Sequence, residues 1–275
     1  MQNSIVYNIP AQDIDAYQGQ NLIVRSHDPN ELAESLKHAD PEAVRFIQLI
    51  SSSADTSALE STAIGLPIEI VLENPAADFA QLYSYKNLLD THPVRISIPV
   101  EAGFSKAVKA AVSLDFSVKL EINQPTPELI GELEAVLDLY LHRSNVRQPV
   151  EFFQSALLAF LRGEPMSLWS VAEEDPAEVV YINDAGQKTI SRRFSDTEIE
   201  DPEDFVDGYV SNLLSEKREC FDCEYFSRCG GYFKWPDNSY DCGGVKKLFR
   251  TLKLAAAELK QDLAAQQEME VQHQS

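Results

Sequence analysis

The sequence predicts an α/β protein in two parts. Residues 1–170 are expected to form a partial (β/α) barrel of the TIM type, and residues 171–275 a small cysteine-rich cap with a β-hairpin and a C-terminal helix. Five short apolar runs, with helical patterns between them, predict the first part. All four cysteines of the chain lie within residues 220–242, and this clustering distinguishes the second part.

The five apolar runs are predicted to be strands. They begin at intervals of 23 to 27 residues and are rich in β-branched side chains, as strands often are. Each run is short and mostly apolar on both faces, which is typical of a strand buried in a parallel sheet. Strands that alternate with helices form right-handed βαβ units, in a partial barrel or an open α/β sheet. The predicted strands are residues 21–26, 44–50, 67–74, 94–100 and 117–123.

The helices of the first part are predicted from apolar spacing and from end signals. Asp28 is placed to cap a helix that has Pro29 at its first position, and Thr126 is placed to cap a later one. The predicted helical segments are residues 28–42, 79–92, 104–116, 126–143 and 149–163.

The second part begins near residue 170, where the composition becomes strongly acidic. Residues 178–194 form two extended runs around Asp184-Ala185-Gly186, a pattern that indicates a β-hairpin. A short helix is predicted in residues 204–217, before the cysteine segment. A long amphipathic helix in residues 244–272 is predicted to follow it.

The composition excludes several classes of function. The net charge is −21 and the pI is about 4.5, so the protein is expected to bind neither nucleic acid nor an anionic membrane surface. No apolar run reaches the roughly 18 residues of a membrane span, and residues 1–20 lack the pattern of a secretory signal. A cytoplasmic location is therefore expected, and clustered cysteines in that reducing compartment are commonly metal ligands or redox groups.

The cysteine segment predicts a metal centre. Cys220, Cys223, Cys229 and Cys242 have the spacing C-x2-C-x5-C-x12-C. A C-x2-C pair lets two thiolates and nearby backbone N–H groups converge on one metal, in zinc sites and in iron–sulfur sites alike. Four sulfurs would complete either a tetrahedral zinc site or a 4Fe-4S cluster, and the spacing alone does not separate the two. A mononuclear iron site also remains open.

The C-x2-C-x5-C run, with Gly230 and Gly231 after its third cysteine, resembles the auxiliary-cluster region of SPASM and Twitch domains. Those domains follow the partial TIM barrel of radical S-adenosylmethionine (radical SAM) enzymes that mature peptides and proteins. The order of elements in this chain is similar: βα units, a hairpin, a short helix, the cysteines and a closing helix. The resemblance implies a 4Fe-4S cluster with all four cysteines as its ligands. Its specific part covers about 25 residues.

The sequence also departs from that family. The C-x3-C-x2-C motif, which holds the cluster that cleaves S-adenosylmethionine, is absent, because no cysteine precedes Cys220. The predicted hairpin has no cysteine either, so a second auxiliary cluster is not expected. The chain therefore resembles a radical SAM–SPASM protein that has no intact site for the SAM cluster and keeps one auxiliary cluster.

Polar residues at the predicted strand ends suggest a second site. In a (β/α) barrel, ligand-binding groups gather where strands end and βα loops begin. Glu73 and Glu101 are a candidate acid/base pair in that region. A role as helix cap explains the presence of Asp28 equally well, and a position in a loop explains Ser51 to Ser53. The polar residues at strand ends are His27, Asp28, Ser51 to Ser53, Glu73, Asn74, Glu101 and Asn123.

Three functions are consistent with these patterns. The first is an iron–sulfur protein that generates no radical and works with a protein or peptide partner, such as a complete radical SAM maturase. In that case the hairpin edge near Arg192 and Arg193 offers a place for an extended peptide to add a strand. The second is an enzyme with its pocket at the strand ends. The third is a structural protein that zinc holds together. Whether the protein is an enzyme stays open.

Overall fold

The structure is a computed structural model that describes residues 5–50, 55–144, 146–194, 199 and 202–273. It is a mixed α/β protein built on one nine-stranded, mostly parallel sheet. The strands are β1 (Val6–Pro10), β2 (Asn21–Ser26), β3 (Val44–Ile50), β4 (Ile68–Val71), β5 (Val94–Pro99), β6 (Ser117–Glu121), β7 (Val150–Glu151), β8 (Val179–Ile182) and β9 (Lys188–Thr189).

The strand order across the sheet is β7-β6-β5-β4-β3-β2-β1-β8-β9. All neighbouring pairs are parallel except β8 and β9, which form an antiparallel hairpin. This confirms the predicted hairpin around Gly186, whose φ of 75° lies in the left-handed region. Because β8 pairs with β1, the sheet continues from the first part of the chain into the second.

The α-helices are α1 (Pro29–Ser35), α2 (Ser57–Glu60), α3 (Pro75–Asp78), α4 (Phe104–Ser113), α5 (Pro127–His142), α6 (Phe153–Arg162), α7 (Leu168–Val171), α8 (Phe205–Ser215), α9 (Phe226–Cys229) and α10 (Gly243–His273). The predicted caps are confirmed: Asp28 accepts a hydrogen bond from the Asn30 N–H, and Thr126 accepts one from the Leu129 N–H. None of the helices in the described part of the chain is both long and apolar enough to cross a membrane.

All five predicted strands are present, but two further parallel strands were missed. β1 contains Asn8 and ends at Pro10, so it gives little apolar signal, yet it pairs with strands on both sides. β7 is only two residues long. The extended conformation of β1 and of β7 depends more on pairing with neighbouring strands than on the residues of the strand itself.

The helix predicted in residues 79–92 is wrong as an α-helix. The structure has two 3₁₀ helices there, Phe79–Tyr83 and Lys86–Asp90. The fully buried side chains are Leu82, Tyr85 and Leu88, and their interval of three residues matches the three residues per turn of a 3₁₀ helix.

The core lies on one face of the sheet. On β5, Val94, Ile96 and Ile98 pack in the main apolar cluster, whereas Arg95 and Ser97 alternate with them and face the other side. The prediction that the strands are mostly apolar on both faces holds for one face only. The other face carries charged and polar side chains beside a small apolar cluster of Val6, Ile23 and Val179. That polar face contains the larger of the two candidate sites.

Candidate functional site

The cysteine segment is a compact series of turns between α8 and α10. α9 ends at Cys229, and the chain then passes through Gly230 and Gly231, whose φ angles of 57° and 73° lie in the left-handed region. A Cβ added at Gly231 would lie 2.5 Å from Leu213 on α8. Glycine is therefore required there both by the backbone angle and by the close approach of α8.

The four cysteines that the sequence pointed to line one small cavity of about 20 Å³, roughly the room of one water molecule. All four are free thiols, and Cys220 and Cys242 are buried. The remaining wall consists of aromatic rings, aliphatic groups and a few charged side chains. They belong to Glu219, Tyr225, Phe226, Phe233, Lys234, Val245, Lys246 and Phe249.

The surroundings of the thiols are partly buried and carry electric charge. Burial raises the pKa of Cys229 to about 11, although backbone N–H groups of Phe233, Gly231 and Tyr232 act in the opposite direction. Burial likewise raises the pKa of Cys242 to about 12, and Lys234 opposes that shift. The N–H groups at Cys229 and the Lys234 ammonium would favour the thiolate form that a metal requires.

The donor set fits a soft metal or a cluster in its chemistry, because four sulfurs around one cavity are suitable ligands for zinc or for an iron–sulfur cluster. Among the residues that the structure describes, however, no three His, Cys, Asp or Glu side chains stand close enough together to hold a metal ion. The thiols share a cavity without already standing in ligating positions.

Aromatic packing fixes the cysteine segment against the rest of the protein. Trp169, on α7, is fully buried and donates its Nε1–H to the carbonyl oxygen of Gly230 at 3.0 Å. Its ring meets the ring of Tyr232 at 5.0 Å and nearly edge-on. The loop that follows Cys229 is therefore held by a side chain from outside the cysteine segment.

A second, larger cavity of about 440 Å³ lies at the carboxyl ends of the strands. Its volume is in the range of small-molecule sites, and its lining carries charges of both signs. The charged residues in the lining are Arg25, Glu73, Glu101, Lys119, Glu121, Glu173, Glu174, Arg192 and Arg193. Tyr232, three residues after Cys229, is also part of its wall.

A buried ring of ion pairs extends from this cavity into the sheet: Lys119 and Glu173 line the cavity, whereas Glu69 and Arg95 do not. Glu69, only 1% exposed, accepts hydrogen bonds from Arg95 at 2.6 Å and from Ser97 at 2.5 Å. Glu173 accepts from Arg95 at 2.9 Å and from Lys119 at 2.6 Å. The Lys119 ammonium also lies 3.8 Å from the carboxylate of Glu69. Two carboxylates and two cations thus balance one another, as buried charges require.

The surroundings shift the pKa values of two glutamates on the strands, Glu69 and Glu121, in opposite directions. Burial acts to raise the pKa of Glu69, but the charges of Arg95 and Lys119 and the hydrogen bonds from Ser97 and Arg95 lower it well below the ordinary value. Burial raises the pKa of Glu121, and the charges of Arg192 and Lys119 offset only part of that effect. Glu121 therefore holds a proton more readily than an exposed glutamate.

The hairpin supplies the opposite wall of the cavity. Arg192 pairs with Glu121 at 3.1 Å. Arg193 pairs with Glu174 at 2.5 Å and donates to the side chain of Asn123 at 2.6 Å. These two arginines therefore line the large cavity. Strand addition by a peptide at the hairpin edge stays a prediction.

The strand-end residues predicted from the sequence divide into three groups. Glu73, Glu101 and Asn123 line the large cavity. His27, Asp28 and Asn74 do not, and the last two act as helix caps. Ser51 to Ser53 lie outside the described residues.

The sequence reading missed the buried ion-pair ring. Each apolar run contains a charged or amide side chain, at Arg25, Gln48, Glu69, Arg95 and Lys119. A polar residue in each of five buried strands is the signal that could have indicated a polar face of the sheet. Arg25, Gln48, Glu69 and Arg95 are register partners on adjacent strands.

No protein-family model matches the chain, and neither the curated proteins nor the solved structures contain a match. The fold and the two cavities define an α/β protein with a cluster of free thiols and a polar strand-end pocket. Any more specific function has to be argued from the chemistry of those two sites.

Proposed function

We propose that this protein is a cytoplasmic iron–sulfur protein that generates no radical and serves a peptide or protein modification system through a partner. The observation that carries the proposal is that four free thiols, spread over 23 residues of chain, line one apolar-walled cavity. Cys220, Cys223, Cys229 and Cys242 would hold the 4Fe-4S cluster, which would supply one-electron chemistry when bound.

The strand order supports a partial barrel. The first seven strands follow one another across the sheet in chain order, from β1 to β7. Right-handed crossovers between consecutive parallel strands place their helices on the same face, which is the winding of a (β/α) barrel. The polar face of the sheet would then be the barrel interior, and the 440 Å³ cavity its mouth.

The residues around the thiols have separable roles in this proposal. The N–H groups that point to Cys229 would stabilise a negatively charged sulfur. Lys234 is paired with Glu219 at 2.6 Å, so it would bring a positive charge to the site without being an isolated buried cation. The rings of Phe233 and Phe249 would keep water away from the cluster.

Anaerobic purification tests the proposal. We expect a brown protein that contains iron and sulfide in about equal amounts, four of each per chain. The Cys223→Ser/Cys229→Ser double variant should lose both. Ser215→Ala/Ser227→Ala is a matched control, since these serines lie nearby and do not line the thiol cavity. Colourless wild-type protein with stoichiometric zinc would replace this proposal by the zinc-held structural protein, and iron without sulfide would indicate a mononuclear site.

The large cavity supports a second candidate, an enzyme with its active site at the strand ends. The observation in its favour is that Glu73, Glu101 and Glu121 line this one cavity. Burial raises the pKa of Glu121, as is common for a carboxyl that acts as an acid. Glu121 lines the cavity and would act as the proton donor.

The test of this candidate is a thermal-shift screen of small amines, amino acids and carboxylic acids against wild type and Glu121→Gln. A compound that stabilises the wild type and fails to stabilise the variant would support it. A screen with no stabilising compound would count against an accessible active site.

A further inference from the structure

A second groove lies beside the cysteine segment, between α6, α9 and α10. It has a volume of about 310 Å³, and Tyr225 belongs both to its wall and to the wall of the thiol cavity. Its floor is apolar, with Phe160, Ala256 and Ala257, and its charged wall carries Arg228, Lys253 and Lys260 against a single acid, Glu224. None of the four cysteines lines it.

The segment that supplies most of this groove has a net charge opposite in sign to that of the rest of the chain. Residues 217–260 contain nine lysines and arginines and six aspartates and glutamates, a net charge of +3. The remainder of the chain carries −24. A strongly acidic protein thus presents one locally basic region, at its cysteine segment.

The cations of α10 form a stripe along the helix. Lys246, Arg250, Lys253 and Lys260 are spaced at i, i+4, i+7 and i+14, which places them on one face. The stripe is about 21 Å long at about 1.5 Å per residue. Its first member, Lys246, lines the thiol cavity, so the stripe leads from the cysteines to the far end of the groove.

Part of this positive charge has no acidic partner within the protein. Lys253 pairs with Glu224 at 2.7 Å. Arg228 and Lys260, in contrast, make no ion pair with any residue that the structure describes. The Arg228 guanidinium lies 4.4 Å from the centre of the Phe160 ring, and its Nε is buried without a hydrogen-bond partner among the described residues. The groove therefore holds a fixed guanidinium with unused donors.

We propose that this groove binds an acidic segment of a partner protein. Carboxylates of the segment would pair with Arg228 and Lys260, and an apolar side chain would lie on the alanine floor. A polyanion such as DNA is disfavoured, because its extended charge would meet the strongly acidic remainder of the chain. No cysteine lines the groove, so this proposal does not depend on whether the cysteines bind a metal.

Fluorescence anisotropy with a fluorescein-labelled hexaglutamate peptide tests the proposal. The Arg228→Gln/Lys253→Gln/Lys260→Gln variant should bind the peptide about tenfold more weakly than the wild type at low salt. The control Lys37→Gln/Lys106→Gln/Lys109→Gln removes the same number of charges at exposed positions outside the groove, and should stay within about twofold of the wild type.

Three results would overturn the proposal. One is equal binding by the groove variant and the wild type. Another is an equal loss in the control variant, which would reduce the effect to net charge. The third is tighter binding of a single-stranded DNA of equal charge than of the peptide. Since Arg228 packs on Phe160, Lys260→Glu is a second, exposed variant that does not disturb packing, and it should weaken peptide binding while unfolding at the wild-type temperature.

Discussion

The guanidinium of Arg193 lies 4.7 Å from the centre of the Tyr232 ring, and this contact joins the two candidate sites. Tyr232 follows Cys229 by three residues and also lines the strand-end cavity. Arg193 comes from the hairpin and is fixed by Glu174 and Asn123. A change at the cysteine segment therefore has a direct route to the wall of the large cavity.

A double-mutant cycle should detect that contact. Arg193→Met, Tyr232→Leu and the double variant are expected to show a coupling free energy of about 0.5 to 2 kcal/mol, because the cation lies over the ring in a largely dehydrated position. Urea unfolding measures the four proteins. Additive effects of the two substitutions would mean that the contact contributes nothing to stability.

The ion-pair ring should be essential for stability. Glu69→Gln leaves the cations of Arg95 and Lys119 facing one carboxylate, that of Glu173, and should lower the free energy of unfolding by about 3 to 5 kcal/mol. Urea denaturation gives this value. Glu34→Gln breaks an exposed pair with Lys37 and should leave the midpoint unchanged. Equal effects of the two substitutions would show that the ring is not a buried, coupled network.

Glu69 should also make stability depend on pH. Its pKa is lowered on folding from an ordinary value of 4.5, so its contribution is complete above that value and is lost as the pH falls below it. The difference in unfolding free energy between wild type and Glu69→Gln should therefore be constant near neutral pH and shrink in acid. Urea titrations at a series of pH values measure it. A difference that grows in acid would contradict the lowered pKa.

Two glycines with similar backbone angles should respond differently to alanine. Gly186 and Gly231 have φ angles of 75° and 73°, but only at Gly231 would a Cβ collide with a neighbour, Leu213. Gly186→Ala should cost about 1 to 2 kcal/mol from the backbone alone. Gly231→Ala should cost about 1 to 3 kcal/mol more from overpacking. Equal losses in urea unfolding would mean that α8 moves away without penalty.

Removal of a bound metal should destabilise the wild type but not a variant that lacks two of the four cysteines. If the cysteines hold a metal or cluster, a strong chelator should lower the unfolding temperature of the wild type by several degrees, since binding energy contributes to folding. The Cys223→Ser/Cys229→Ser variant should not respond. Thermal unfolding followed by circular dichroism compares the two. An identical response of both proteins would mean that the chelator acts elsewhere.

Features that depend on short stretches of chain could be predicted from the sequence alone. Short apolar runs rich in β-branched residues indicated five of the strands, Asp28 and Thr126 indicated two helix starts, and Asp184-Ala185-Gly186 indicated the hairpin turn. The cysteine spacing drew attention to the four residues that share one cavity. Each of these signals acts over a few residues, so it can be read without knowing which distant segments come together.

The partners of the polar strand residues, in contrast, became clear from the folded structure. Lys119 donates to Glu173 across 54 residues of sequence, and Arg25 pairs with Asp184 across 159. A buried charge is tolerated only where such a partner stands close to it, and sequence spacing does not reveal a partner so far along the chain. Glu73, Glu101 and Asn123 indicated the large cavity from the sequence, but the pairing of Arg192 with Glu121 and of Arg193 with Glu174 in its wall could not be predicted.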